Sequence, residues 1–179
     1  AYSRYVAGPA KLLHRLPDNI PFDVGALLEP IAVCTTAIIE RCGLAAGDTV
    51  VITGPGPIGL ISLVIAKSAG AKITGIVGHA GVRLEKAREL GADYVIDANT
   101  DNPVSRVMAM TEGRGADLLI ETSGSAKAIG EGFEMVRRLG KVCAMGVSGQ
   151  GEVPIPYDRG IFKALRYDFC FSSSWTAWE

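Results

Sequence analysis

Histidine is scarce in this 179-residue chain, which has only two. None of its four cysteines, Cys34, Cys42, Cys143 and Cys170, belongs to a C-x-x-C pair. A closed zinc site built by this chain alone is therefore not expected. The cysteines are expected to be buried and reduced. An excess of one charge is also missing: 18 Lys and Arg face 19 Asp and Glu, for a net charge of −1. No basic stripe points to nucleic acid. The longest apolar stretch is broken by Gly54, Pro55, Gly56, Pro57 and Gly59. It lacks the roughly 20 unbroken residues of a membrane span. The first residues, AYSRYVAGPAK, hold no apolar signal-peptide core. These absences lead to the expectation of a cytoplasmic chain with no membrane and no nucleic-acid partner.

What is present is a globular balance, 48% hydrophobic and 21% charged. Three joints recur: KSAGAKITGIV (67–77), RELGADYVI (88–96) and RRLGKVCAMG (137–146). Each predicts a helix ending at a left-handed glycine, with cations near its negative end, then a strand. Apolar runs at 49–53, 73–77, 94–96, 117–121, 141–146 and 168–173 do not alternate in and out. Such runs suit strands covered on both faces, as in a parallel sheet. Helical segments are predicted near 57–69, 82–90, 103–111 and 125–138. The order implies an α/β fold, a Rossmann-type doubly wound six-stranded parallel sheet.

Residues 1–42 differ. Pro9, Pro17 and Pro21 mark a loop, and DVGALLEPIAVCTTAIIERC (23–42) predicts two helical pieces around Pro30. This part reads as the tail of another domain plus connector helices, and residues 43–179 as the dinucleotide-binding domain. The final SSSWTAWE, with no closing helix expected, adds to the expectation of a piece of a longer chain.

In VVITGPGPIGL (50–60), the pattern G-x-G-x-x-G follows a predicted strand and opens a predicted helix. That context gives the pattern its meaning. Gly54 permits the tight turn, Gly56 lets the backbone approach a pyrophosphate, and Gly59 lets helix and strand pack closely. Pro57 and Ile58 start the helix, whose free N–H groups suit an anion. The alternative is a glycine-rich turn with no ligand. About 20 residues further on, NAD-binding domains carry an acidic residue for the ribose 2′-OH. Here that place is Gly78, followed by His79 and Arg83. Without a carboxylate to repel a 2′-phosphate, and with two donors, NADP is expected over NAD. Otherwise His79 and Arg83 are ordinary surface residues. Gly78→Asp is expected to reverse the preference.

LHRLPDNI (13–20), ALLEPIAV (26–33), GDTVVITGPGPIGLISLVIAKSAGA (47–71), RLEKARELGADYVID (83–97), DLLIETSG (117–124) and RRLGKVCAMGV (137–147) together resemble one family. It is the medium-chain dehydrogenase/reductase superfamily, in its zinc-dependent polyol (sorbitol-like) and threonine dehydrogenase branch. The resemblance implies that Glu29 reaches a catalytic zinc. It places Thr122, Ser123 and Gly124 beside the nicotinamide, and Gly146 and Val147 along its ring. Ser172 and Ser173 fall near the strand contacting the carboxamide. Trp175 and Trp178 line a substrate cleft or subunit contact, or simply a core. The family's cysteine and histidine zinc ligands lie in a catalytic domain absent from this sequence. The chain is thus expected to bind cofactor but to be inert alone, the whole acting on an alcohol or polyol. A homodimer or tetramer is expected, with Leu27, Leu28, Ile31, VPIP (153–156) and the last strand as contact candidates. The other readings are an NADPH-sensing module, a zinc-free quinone reductase-like member, and a methyltransferase, which Gly78 disfavours.

Overall fold

The computed structural model describes residues 3–178. Six strands form one sheet: β1 (Thr49–Thr53), β2 (Ile73–Gly78), β3 (Tyr94–Asp97), β4 (Ala116–Glu121), β5 (Val136–Ala144) and β6 (Arg166–Phe169). Their order is β3-β2-β1-β4-β5-β6, and every pairing is parallel. The expected Rossmann-type sheet is therefore present. The order reverses beside β1, which leaves a crevice at the carboxyl ends of β1 and β4.

The unbroken apolar runs have a physical reason. All residues of β1 and β4 are buried. Val50, Ile52, Leu118 and Ile120 feed one core. Val51 and Leu119 feed another on the opposite face. Helices α3 (Pro57–Ser68) and α4 (Val82–Glu89) close the first core through Leu63, Ala66, Leu84 and Ala87. Helix α5 (Pro103–Met110) closes the second through Val107. Helix α6 (Ala126–Met135) joins it there through Met135. All four cysteines are buried free thiols, as expected. Burial pushes the Cys34 pKa up to about 11, the Ser62 hydrogen bond opposing and the Glu29 charge adding.

Two of the three predicted joints hold: Gly70 (φ +87°) and Gly91 (φ +82°) are left-handed. The third does not. Helix α6 ends at Met135, earlier than expected, and β5 begins at once. Lys163 explains this. Its Nζ donates to the carbonyls of Phe133, Glu134 and Val136 at 2.8–2.9 Å, so a lysine caps the helix in place of a glycine. That lysine ends helix α7 (Tyr157–Lys163), which the sequence did not announce. The last strand also departs from expectation, covering 166–169 rather than 168–173.

Near the N-terminus, α1 (Phe22–Gly25) precedes α2 (Leu28–Thr35), which continues as a π-helical turn through Arg41. The break lies before Leu28 and not at Pro30. Pro30 sits in the first turn of α2, where its missing N–H has no intrahelical acceptor to lose. The helical run Phe22–Arg41 has 20 residues and a mean hydropathy of 1.7 over its most apolar window. By length and composition alone it could cross a membrane, a test that a core helix also passes, and it is interrupted by Asp23, Glu29 and Glu40. Its inner residues Cys34, Ala37 and Ile38 belong to the first core, as in a core-packing helix.

Asp117 ties the amino ends of the central strands. It accepts from Arg114 Nη2 (2.7 Å), Arg137 Nε (2.5 Å) and the Thr49 N–H (2.8 Å). Burial pushes its pKa up, but the two arginines and the Thr49 N–H outweigh this and hold it at about 2. A depressed carboxylate pKa contributes stability that is present above the unfolded value of about 3.9. This contribution, about 2 kcal/mol, is lost as pH falls from about 4 to about 2. Asp117→Asn is expected to lower stability at pH 7 by that amount and to flatten the acid limb of a urea-denaturation pH series. An unchanged acid limb would remove Asp117 from the account.

Candidate cofactor site

The crevice begins where β1 runs into α3. Gly54 has φ +96°, and its N–H donates to the Val77 carbonyl at 2.9 Å. Its carbonyl accepts from Thr122 Oγ1 at 2.8 Å. A Cβ on Gly59 would stand 1.9 Å from that carbonyl oxygen. Gly54 and Gly59 are therefore locked together, and only glycine fits at 59. Gly56 is the opposite: a Cβ there would meet nothing within 4 Å. Pro57 is the first residue of α3, and Ile58 and Gly59 follow with N–H groups that no preceding turn can accept. Open space beside free N–H groups at a positive helix end can take an anion.

Glu121, at the end of β4, organises the opposite wall. It is 1% exposed. Its side chain accepts from the Ser123 N–H (2.8 Å), the Gly124 N–H (3.1 Å) and Thr53 Oγ1 (3.2 Å), and from Ser123 Oγ. Its backbone carbonyl accepts from the Met145 and Gly146 N–H groups at 2.9 and 3.0 Å. One residue thus holds the ends of β1, β4 and β5 together. Gly124 (φ +65°) and Gly146 are pressed against each other, since a Cβ on Gly146 would lie 2.4 Å from the Gly124 nitrogen. Val147 follows, 84% exposed. The structure therefore brings Thr122, Ser123, Gly124, Gly146 and Val147 to one place. Sequence reasoning missed Glu121. Its signal was a charged residue closing the apolar run LLI (118–120).

At the end of β2 lies a cleft of about 130 Å³ lined by Thr53, Gly54, Pro55, Gly78, His79 and Lys127, among others. His79 Nδ1 is 2.9 Å from Asn99 Oδ1. Lys127, on α6, is 3.7 Å from Glu131 and largely exposed. The wall does not include Arg83, which is exposed in the first turn of α4. Asp97 is an acidic residue nearby, but Oδ1 is engaged by the Ala80 and Asn99 N–H groups at 3.1 and 3.0 Å. A Cβ on Gly78 would stand 2.4 Å from Cγ and Cδ of Pro55. Gly78 is thus a packing glycine, and an aspartate there collides with the phosphate-side loop.

A second cavity, about 590 Å³, lies between the N-terminal segment and the C-terminal turn. Its wall includes Glu29, His14, Ser173, Trp175 and Trp178. His14 stacks on Trp178 at 5.1 Å and leans on Trp175 at 4.3 Å. Ser172 and Ser173 lie a few residues beyond the end of β6, near that strand but not on it. Ser172 is exposed with φ +67°, and Ser173 Oγ accepts from Trp178 Nε1 at 3.0 Å. Glu29 and His14 are the side chains of that wall whose chemistry could ligate a metal. Among the described residues, no group of three possible ligands includes Glu29. A catalytic zinc normally takes three protein ligands, and the described residues do not bring three together at Glu29.

Residues 57–179 match the family described as zinc-binding dehydrogenase. Sorbitol dehydrogenase of Halalkalibacterium halodurans is 35% identical over 181 residues, covering 100% of this chain and 52% of that protein. L-threonine 3-dehydrogenase of Pyrococcus furiosus is 34% identical over 179 residues, covering 99% of this chain and 51% of that protein. A crystal structure from Sinorhizobium meliloti 1021, solved bound to NADP, matches with a TM-score of 0.79 at 29% identity. It covers 86% of this chain and 45% of that one. The chain spans about half the length of the curated relatives it matches. With the parallel sheet, the glycine-locked turn and these matches together, the chain belongs to the zinc-binding dehydrogenases, the zinc-dependent alcohol dehydrogenase type of the medium-chain dehydrogenase/reductase superfamily.

Proposed function

We propose that this chain is the cofactor half of a dehydrogenase that moves a hydride between NADP(H) and an alcohol or polyol or its carbonyl form. The observation that carries the reading is the open space at Gly56 beside the free N–H groups of α3. In this reading the pyrophosphate sits on Gly56, Pro57, Ile58 and Gly59. Thr122, Ser123, Gly124, Gly146 and Val147 position the nicotinamide, whose C4 gives or takes the hydride. Residues 43–179 are the dinucleotide domain. Residues 1–42 connect it to a catalytic domain that supplies the remaining zinc ligands, Glu29 being this chain's contribution. Alone, the chain binds cofactor without turnover, because one carboxylate does not hold a catalytic metal.

NADP over NAD is supported by the absence of a carboxylate at Gly78 and by two donors at the cleft, His79 and Lys127. Lys127 replaces Arg83 as the stronger candidate, because Arg83 is not in the cleft wall. One charge-assisted hydrogen bond, roughly 1.5–3 kcal/mol, favours NADPH by about tenfold or more. Calorimetric titration of both cofactors tests this. NADPH is expected to bind at least about tenfold more tightly than NADH. Lys127→Ala and His79→Ala are expected to weaken NADPH alone. Equal or tighter NADH binding overturns the NADP assignment.

Association is part of the proposal. Phe169 and Phe171 stand 73% and 89% exposed at the edge strand and just beyond it, and Phe162 of α7 is 70% exposed. An apolar edge of this kind is a docking surface for a second copy. Light scattering is expected to show a dimer or larger species that Phe169→Lys shifts toward monomer. A monomer at high concentration before any substitution overturns this.

A further inference from the structure

Cys42 follows the π-helical turn, Cys143 lies on β5, and Cys170 is one residue past β6. In the sheet Cys143 pairs with Asp168, so Cys143, Asp168 and Cys170 share one face. Cys42 meets that face from outside the sheet. The three sulfurs lie within 4.8 Å of one another. Cys143 Sγ and Cys170 Sγ are 3.8 Å apart, and Cys42 Sγ is 3.8 Å from Asp168 Oδ2. Among the described residues this is the only group of three or more such ligands.

Small apolar packing explains a single buried cysteine, but not three thiols gathered from separate elements with a carboxylate oxygen 3.8 Å from one of them. Metal geometry does. Tetrahedral zinc with Zn–S of about 2.3 Å sets its sulfurs about 3.8 Å apart, and a carboxylate oxygen about 3.5 Å from each sulfur. The three sulfurs need to close by about 1 Å at most, while Asp168, 3.8 Å from Cys42 Sγ but outside the group of three, has to swing further in to become the fourth ligand. We propose that Cys42, Cys143, Cys170 and Asp168 form a structural site for a thiophilic divalent cation, zinc above all. It is separate from any metal that Glu29 helps to hold.

The surroundings suit the charge. Three thiolates and a carboxylate around a divalent ion leave two negative charges. Arg166 Nε is 2.8 Å from Asp168 Oδ2, and its Nη2 is 3.3 Å from Oδ1. Oδ2 carries the shorter guanidinium contact and also faces Cys42, so it would ligate the ion through its second lone pair while Arg166 stays on the carboxylate as the outer partner. Arg166 also donates to the Arg41 carbonyl, next to Cys42. Cys170, 8% exposed, is the way in. Loading releases the three thiol protons to solvent and changes no oxidation state.

The test is cobalt(II) loading of this chain under anaerobic, reducing conditions. One equivalent is expected to bind, with a thiolate-to-cobalt charge-transfer band and a tetrahedral visible spectrum. Zinc is expected to displace it. Cys42→Ser is expected to weaken binding by more than about 100-fold, while Cys34→Ala and Glu29→Ala keep the spectrum. Should the serine variant misfold, X-ray absorption of the zinc-loaded unmodified chain decides, with three sulfurs and one oxygen expected. No stoichiometric uptake by the folded chain, a spectrum that survives Cys42→Ser, or fewer than three sulfurs overturns the site.

Discussion

A Gly59→Ala chain is expected to lose dinucleotide binding and several degrees of thermal stability together. The new methyl would enter 1.9 Å from the Gly54 carbonyl oxygen and 3.0 Å from Thr122 Oγ1. Neither partner can retreat. The Gly54 N–H is held by Val77 and its carbonyl by Thr122. Overpacking of this kind costs about 1–3 kcal/mol or more, and here it opens the turn that the anion needs. Gly56→Ala is the companion experiment. Its methyl meets no protein atom within 4 Å, so stability should change by no more than about 0.5 kcal/mol. NADPH affinity should nevertheless fall at least about tenfold, because the methyl occupies the approach to the phosphate. Melting curves and cofactor titrations of both variants separate packing from ligand contact. Undiminished NADPH binding by Gly56→Ala removes the cradle reading.

Removing the Glu121 side chain should be the most damaging single polar change. Glu121→Ala leaves the Ser123 and Gly124 N–H groups without their acceptor and detaches Thr53 Oγ1. Orphaned buried donors cost about 1–3 kcal/mol each, so a loss of about 3–5 kcal/mol is expected. Glu121→Gln keeps one accepting oxygen, so most of the stability should return. Its added N–H₂ faces donors, so the loop beside the nicotinamide position should still loosen. NADPH affinity is expected to drop in both variants, more in Ala. Urea denaturation and titration provide the check, and near-normal stability of Glu121→Ala would refute the role.

The central strands were legible because both faces of the sheet are covered. TVVIT and DLLIE could only be buried runs, and their turns carried the glycines that βα joints demand. The misread places share a cause: the deciding partner is remote in sequence. The end of α6 depends on Lys163, separated from Val136 by 27 positions. The edge strand is short because the chain after Phe169 turns to meet the connector, where Ser174 Oγ donates to Glu40 at 2.9 Å. Among the site residues, glycines were readable because backbone geometry demands them locally. Glu121 was not, because its value lies in three loops that only the folded sheet brings together. Arg83 lies outside the cleft wall, a placement that spacing along a helix start does not reveal.

The contact between Gly78 and the Pro55 ring has an evolutionary consequence. The ring is rigid and sits 2.4 Å from where a Cβ at 78 would be. Ribose-hydroxyl recognition through an acidic residue at 78 is therefore barred while Pro55 stands, however favourable that carboxylate would be to NAD. The two positions should be epistatic: Gly78→Asp harmful alone, Pro55→Gly mild alone, and the pair together able to accept the other cofactor. Residues in such contact typically couple by about 0.5–3 kcal/mol. A lineage with this turn changes cofactor through position 55 first, so descendants that use NAD should have lost that proline before they gained the acid.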